Sequence, residues 1–180
     1  MPRYIAFLRG INLGPKRRVS MAKLRESLEE AGYEDVRTLL QSGNVVLTGK
    51  VKPAQLERDL ADRLREAFGL EIAVVVRTRA ELAAVVENDP FAGETDDPAR
   101  YQVSFLSAKP TAARVKELES AAVAPERVAV RGREVYAWHP GGVGRSKLAG
   151  ITDRRLGVEV TARNWRTVTK LLELADEPRS

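Results

Sequence analysis

Tyr4-Ile-Ala-Phe-Leu8, then Arg9-Gly-Ile-Asn-Leu-Gly-Pro-Lys-Arg-Arg-Val-Ser20, then Met21-Ala-Lys-Leu-Arg-Glu-Ser-Leu28: this stretch decides the fold. The first segment is a short continuous apolar run, the pattern of a buried strand. The last has Met21, Leu24 and Leu28 on one helical face, with Ser20 placed as N-cap and Gly32 just past the end. Between them lies a long loop carrying two glycines, a proline and four basic residues. A strand, a crossover and a helix open an α/β unit.

Two strands follow, expected over Val36–Gln41 and Asn44–Thr48, with Ser42-Gly43 as the hairpin turn. Pro53 suits the first turn of a helix whose Leu56, Leu60, Leu64 and Phe68 recur every four residues, and Gly69 ends it. Ile72–Val76 reads as the next strand. The order β-α-β-β-α-β is that of a ferredoxin-like unit, an antiparallel four-stranded sheet with two helices on one face.

Thr78-Arg-Ala-Glu81 is a capping box for a helix to about Glu87. Residues 88–99 are acidic, with Pro90, Gly93 and Pro98, and read as a surface linker. The element order then repeats. Tyr101, Val103 and Phe105 alternate as a half-buried strand. Thr111 caps a helix with Val115, Leu118 and Ala122. Val128 and Val130 mark a strand, Gly132-Arg133 a two-residue turn, and Glu134–Trp138 the returning strand. A glycine-rich loop, His139–Gly144, precedes a helix to about Leu156. A short strand is expected at Val158–Val160, and Thr161 is placed to cap a closing helix with Trp165, Val168, Leu171, Leu172 and Ala175 inward. The predicted fold is α+β: two ferredoxin-like halves packed together, with a C-terminal helix. The expected boundaries are 1–78, a helix and acidic linker at 79–100, and 101–180.

Charge is uneven. The net charge is +5, from 30 basic and 25 acidic residues. Residues 1–25 hold seven Lys or Arg and no acid, and residues 145–170 hold seven bases against two acids. Residues 81–97 hold six acids and no base. Such a distribution favours an anionic ligand near the basic segments. Zero cysteines exclude disulfides and thiolate chemistry, and one histidine excludes a multi-histidine metal site within the chain. No metal or other cofactor is called for. No signal-like or membrane-spanning run is visible, and the expected compartment is the cytoplasm, with no membrane partner.

The first loop is not a phosphate-binding P-loop: Gly10 and Gly14 stand one residue too close and no Lys-Ser/Thr pair follows. Arg9, Asn12, Lys16 and Arg18 are still candidates for an anion cradle at a helix start that carries Lys23 and Arg25 where acids usually sit. Ser42 and Asn44 border the hairpin. Arg145, Ser146 and Lys147 arrive at a second helix start behind three glycines. Arg163 and Asn164 sit at the start expected for the last helix, free to reach solvent. His139 and Ser146, seven residues apart, have the residue types of a hydrolytic couple, though nearness in sequence does not set their geometry. The strand Asn44–Thr48 has no aromatic ring, which argues against base stacking of the kind single-strand RNA readers use.

Four of these motifs belong together: Arg9-Gly-Ile-Asn-Leu-Gly14, Gln41-Ser-Gly-Asn-Val45, Gly144-Arg-Ser-Lys147 and Thr161-Ala-Arg-Asn-Trp-Arg-Thr-Val168. As a set, over Tyr4 to Leu174, the chain resembles the bacterial family called domain of unknown function 1697. Pro15 and Arg166 stand where the family pattern often has glycine and asparagine. The resemblance implies an α+β protein with two similar subdomains and carries no catalytic residues with it.

The reading is a protein that binds an anionic or phosphorylated ligand: a nucleotide, a phosphometabolite or a nucleic-acid backbone. Its candidate residues are expected to share a basic cleft between the halves. The alternatives are an enzyme using Arg9, Asn12, Ser42, Asn44 and Lys147 on a small molecule, and an interaction or oligomerisation module that docks through its acidic segment.

Overall fold

The structure is a computed structural model and describes residues 1–179. Among these residues the chain forms two four-stranded antiparallel sheets and six α-helices. They group into two compact units, residues 1–84 with 170–179, and residues 85–169. No helix among the described residues is long and apolar enough to cross a membrane.

In the first unit β1 (Arg3–Leu8), α1 (Met21–Glu30), β2 (Glu34–Leu39), β3 (Asn44–Thr48), α2 (Pro53–Phe68) and β4 (Val74–Thr78) follow in order. The sheet runs β2-β3-β1-β4, as the ferredoxin-like reading requires. Alternate residues of β1, Tyr4, Ala6 and Leu8, join Leu24 and Leu28 of α1 and Leu56, Leu60 and Leu64 of α2 in one core. Each such leucine contributes about 1.5–3 kcal/mol by leaving water. Ile5 and Phe7, on the opposite face of β1, are also fully buried, which is why the strand is a continuous apolar run. The ends match the sequence signals. Ser20 Oγ accepts from the Lys23 N–H at 3.3 Å, and left-handed Gly69 donates its N–H to the Arg65 carbonyl at 2.8 Å.

Two boundaries differ from expectation. Leu39 pairs with Asn44, so the hairpin turn is four residues, Leu40–Gly43, with Leu40 at φ 62° and Gly43 at φ 93°. The last strand begins at Val74. Its partner β1 stops opposite it at Leu8, because the chain turns away at Gly10 (φ 65°) and leaves Ile72 no strand to pair with. Ile72 remains in the core without being in the sheet.

The capping box is present: Thr78 Oγ1 accepts from the Glu81 N–H at 3.1 Å and Glu81 Oε2 from the Thr78 N–H at 2.8 Å. It opens α3 (Arg79–Glu87). The second unit then builds β5 (Tyr101–Leu106), α4 (Ala112–Ala121), β6 (Arg127–Arg131), β7 (Glu134–Trp138), α5 (Lys147–Arg155) and β8 (Val160–Asn164). Its sheet order, β6-β7-β5-β8, repeats that of the first unit position for position. Leu106, Leu118, Val135, Ala137, Leu148, Leu156 and Val160 form the core beneath its helices.

Residues 88–99, read as a surface linker, are largely at the surface but are pinned to this second sheet by one side chain. Phe91 is buried with its ring 6.2 Å from that of Tyr101, and Asp89 Oδ1 accepts from the Tyr101 hydroxyl at 2.5 Å. Arg127 sits 4.5 Å over the Phe91 ring and pairs with Glu94. Phe91 is the one large apolar residue in that acidic run, and it supplies the anchor.

The final strand is also longer and later than expected. Val160–Asn164 pairs along β5, with Thr161 opposite Phe105 and Arg163 opposite Val103. Asn164, not Thr161, caps α6 (Trp165–Asp176): its Oδ1 accepts from the Thr167 N–H at 2.9 Å. β-Branched Thr161 suits a strand as well as a cap, and the ladder to β5 decides between them. The Trp165 ring lies 5.0 Å from that of Tyr101, as core packing. Residues 170–179 group with the first unit, where Asp176 pairs with Arg79 at 2.7 Å and Glu177 with Arg37 at 2.7 Å.

Candidate functional site

The first loop is a closed knot of hydrogen bonds. Asn12, at φ 55°, donates from Nδ2 to the carbonyls of Val19 (3.0 Å) and Gln41 (2.8 Å), and its Oδ1 accepts from the Val19 N–H at 2.9 Å. Arg17, at φ 59°, donates to the Gly10 carbonyl at 3.0 Å and the Glu71 carbonyl at 3.1 Å. The loop is thereby clasped to the hairpin. Beneath it, Asn44 is fully buried and donates to the Leu39 carbonyl at 2.8 Å and to Ser42 Oγ at 3.2 Å. Gly43 has no room for a side chain: a Cβ there would stand 2.7 Å from Leu8 Cβ and 2.8 Å from Ile11 Cδ1. Asn12, Ser42 and Asn44 therefore meet around one junction, and the two asparagine side chains are spent on backbone groups. Lys16 and Arg18 stand exposed on the loop, as does Leu13, 83% accessible. Arg9 closes the base of the loop, donating its N–H to the Ala73 carbonyl at 3.0 Å.

The second cluster lies wholly in the second unit. A groove of about 740 Å³ runs along one face of α5, lined by Gly144, Arg145, Ser146, Lys147, Gly150, Ile151, Arg154 and Arg155. The helical members recur at three- and four-residue spacing, as one face of a helix must. Four cations line the groove and no carboxylate does. Arg155 pairs with Glu117 at 3.3 Å. Arg145, Lys147 and Arg154 have no ion-pair partner among the described residues. Gly150 forms the floor, where an added Cβ would come 3.0 Å from the Arg154 guanidinium. The absence of a side chain lets that group lie across the helix.

Ser146 and His139 do come together, but as a clamp. His139 is 1% exposed, and its Nδ1 lies 2.8 Å from Ser146 Oγ and 3.1 Å from Glu126 Oε2. Ser146 Oγ donates to Glu126 Oε2 and accepts from the Ala149 N–H at 3.2 Å, capping α5. With the serine proton committed to the carboxylate, Nδ1 carries the imidazole proton and donates into the same pair. A hydrolytic couple needs the opposite arrangement, with an unprotonated ring nitrogen facing the serine and the acid on the other nitrogen. The trio instead fixes the start of α5, and with it Arg145 and Lys147.

Arg163 does not reach solvent. It is 9% exposed within β8 and donates to the Ala162 carbonyl at 2.8 Å. Burial pushes its guanidinium down to about 10, which leaves it charged at neutral pH. Asn164 is occupied as the α6 cap. The groove also contains residues the sequence reading passed over: Gly150, Arg154 and Arg155. Their helical spacing from Lys147 was there to be read. Glu126 gave no such signal, since only the fold brings it to His139. Among the described residues no group of three His, Cys, Asp or Glu is placed to hold a metal ion.

Residues 1–136 match the model of the family described as "Protein of unknown function (DUF1697)", and the chain belongs to that family. The Gly144–Lys147 and Thr161–Val168 motifs lie beyond the matched segment. None of the curated proteins matches the chain. Among solved structures it is similar to the conserved bacterial protein SP0830 from Streptococcus pneumoniae, with a TM-score of 0.80 and 24% sequence identity over 97% of this chain and 99% of that one. The likeness is one of fold.

Proposed function

We propose that this protein binds an anionic, phosphorylated ligand in the groove along α5. One observation carries the reading: Arg145, Lys147 and Arg154 line a single concavity with neither an acid in its lining nor an ion-pair partner among the described residues. Like charges held together repel, and a bound anion relieves that repulsion. Guanidinium groups suit the oxygens of a phosphate, to which they donate paired hydrogen bonds. The groove's volume is in the range of small-molecule sites, roughly 300–1,000 Å³. Catalysis by the polar set of the first half has less support, because Asn12 and Asn44 are committed to backbone carbonyls. Docking through the acidic segment is weakened in the same way, since Asp89 and Glu94 are taken up by Tyr101 and Arg127.

Calorimetric titration with inorganic phosphate, a nucleoside triphosphate and a short oligonucleotide at low salt tests the reading. Calorimetry is needed because no tryptophan lines the groove. Binding in the sub-millimolar range that disappears in the triple variant R145A/K147A/R154A, with an unchanged melting curve, is the expected result. No binding of any of the three compounds, or equal binding by the variant, overturns it.

A further inference from the structure

We infer that the anion held at α5 is a phosphate ester whose organic part carries a hydrogen-bond donor, an amine or a hydroxyl, set against Glu126. The inference rests on the anion-binding reading and names its ligand class. A second cavity, of about 280 Å³, adjoins the groove and shares Arg145 and Ser146 with it. Its chemistry is different. Val123, Ala124, Pro125 and Pro140 give it an apolar wall, and Glu126 brings a carboxylate. Ser146 ties the two cavities together: its Oγ donates to Glu126 Oε2, and its chain neighbours are Arg145 and Lys147. Successive Cα atoms are about 3.8 Å apart, so the carboxylate meets the chain between two cations. Among the described residues neither Arg145 nor Lys147 forms an ion pair with it. These two are the cations of interest, since Arg154 lies back against Gly150 and Arg155 is paired with Glu117.

The hydrogen bonds of the clamp define the group that fits beside it. Ser146 donates its one hydroxyl proton to Glu126 Oε2, and His139 donates from Nδ1 into the same pair. Both side-chain donors of the trio are thereby used. What remains is acceptor capacity. Glu126 Oε1 has no partner among the described residues, and neither has the buried His139 Nε2. The Glu126 side chain is 21% exposed, so an entering group reaches its carboxylate. A donor brought by a ligand matches it, and bonding to a charged oxygen makes the bond a strong one. A ligand that is anionic throughout fits the cations but sets a second negative group against Glu126. A short ester satisfies both cavities: its phosphate on Arg145 and Lys147, its carbon chain along the apolar wall, and its donor on Glu126.

Calorimetric titration of the full chain with four probes tests this: inorganic phosphate, n-propyl phosphate, 2-hydroxyethyl phosphate and 2-aminoethyl phosphate. The three esters have chains of equal length and differ in their last group. At least one of the two donor-bearing esters should bind about tenfold tighter than n-propyl phosphate, because a site with an unmet acceptor discriminates against a ligand that lacks the donor. In Glu126→Gln that preference should fall below about threefold, while n-propyl phosphate itself changes by less than about threefold. Circular dichroism establishes that the variant is folded, and the comparison among the esters in the unaltered protein decides the matter even if it is not. All three esters binding alike overturns the inference and leaves the anion-binding reading standing, and so does inorganic phosphate binding as tightly as the best ester. Equal weakening of every ester in Glu126→Gln also overturns it, because Glu126 then acts only by holding the start of α5. If none of the four probes binds, both readings fall.

Discussion

Replacing Asn12 by alanine should cost the first unit about 3 kcal/mol. The side chain makes three hydrogen bonds, two to Val19 and one to Gln41. Each contributes about 1 kcal/mol net, less where water can take its place. Asn12 is also held at φ 55°, where alanine costs about another 1 kcal/mol. Water reaches this half-buried site, so the total sits near the lower end of the sum, at about 3 kcal/mol. Both tryptophans, Trp138 and Trp165, lie in the second unit. Far-ultraviolet circular dichroism therefore reports both units, and tryptophan emission reports the second. In a urea titration, a slope of about 2 kcal/mol per molar turns the loss into a midpoint shift of about 1.5 M in the dichroism. Asn12→Gly removes the same hydrogen bonds without the strain and should retain about 1 kcal/mol more than Asn12→Ala. A dichroism midpoint that moves by less than about 0.3 M would refute the view that this asparagine clasps the loop. Equal midpoints for the alanine and glycine variants would refute the strain component alone.

Gly43→Ala should be more damaging than a surface glycine change, by about 3 kcal/mol or more, because its Cβ meets Leu8 Cβ and Ile11 Cδ1 and its φ is left-handed; an unchanged urea midpoint would contradict this. Gly150→Ala should go the other way. The only near neighbour of its Cβ is the movable end of Arg154, and alanine gains about 1 kcal/mol in a helix interior, so the melting temperature should rise while anion binding weakens as Arg154 is displaced; a lower melting temperature would show the floor is more tightly packed than described. Tyr33, Tyr101 and Tyr136 all have hydroxyls held well above the ordinary phenol range, chiefly by burial, with Asp59 acting on Tyr33, Asp89 on Tyr101 and Glu134 on Tyr136. A folded pKa above the unfolded one contributes stability that is complete below about pH 10 and is lost as pH rises beyond it. Spectrophotometric titration should show these three phenols ionising only together with alkaline unfolding; their ionisation in the folded protein near pH 10 would contradict the burial.

Much of the architecture was readable because each signal had a local cause. The four-residue leucine stripe of α2, the Thr78–Glu81 box and the Ser20 cap act within one turn of chain, and each stands where its residues put it. Readings went astray where a partner strand decides. Thr161 fits a cap or a strand, and β5 drew it into the sheet. Ile72 has the chemistry of a strand residue, but β1 has already turned away. Phe91 anchors an acidic segment onto a sheet that forms only later in the chain. The candidate site divides in the same way. Arg145, Ser146 and Lys147 are contiguous and were legible together, and Arg154 and Arg155 lie two turns further along the same helical face. Asn12, Asn44 and Asn164 were read as ligand contacts because asparagine serves turns, caps and ligands with the same amide. Only their hydrogen-bond partners show which task each performs.

The grouping of residues 170–179 with residues 1–84 bears on how the molecule is made. On a ribosome, the first unit's two helices and four strands emerge before the second unit, but Asp176 and Glu177 are added only after it. Between them lie the 85 residues of the second unit, Val85 to Thr169. At about 5–20 residues per second, that insert takes roughly 4–17 s to synthesise. For that interval Arg79 and Arg37 wait without the carboxylates that will meet them, while the second unit can complete itself from one uninterrupted stretch. The unit begun before the insert is completed only after it, and a nascent chain stalled anywhere within the insert carries a first unit without the Arg79–Asp176 and Arg37–Glu177 ion pairs.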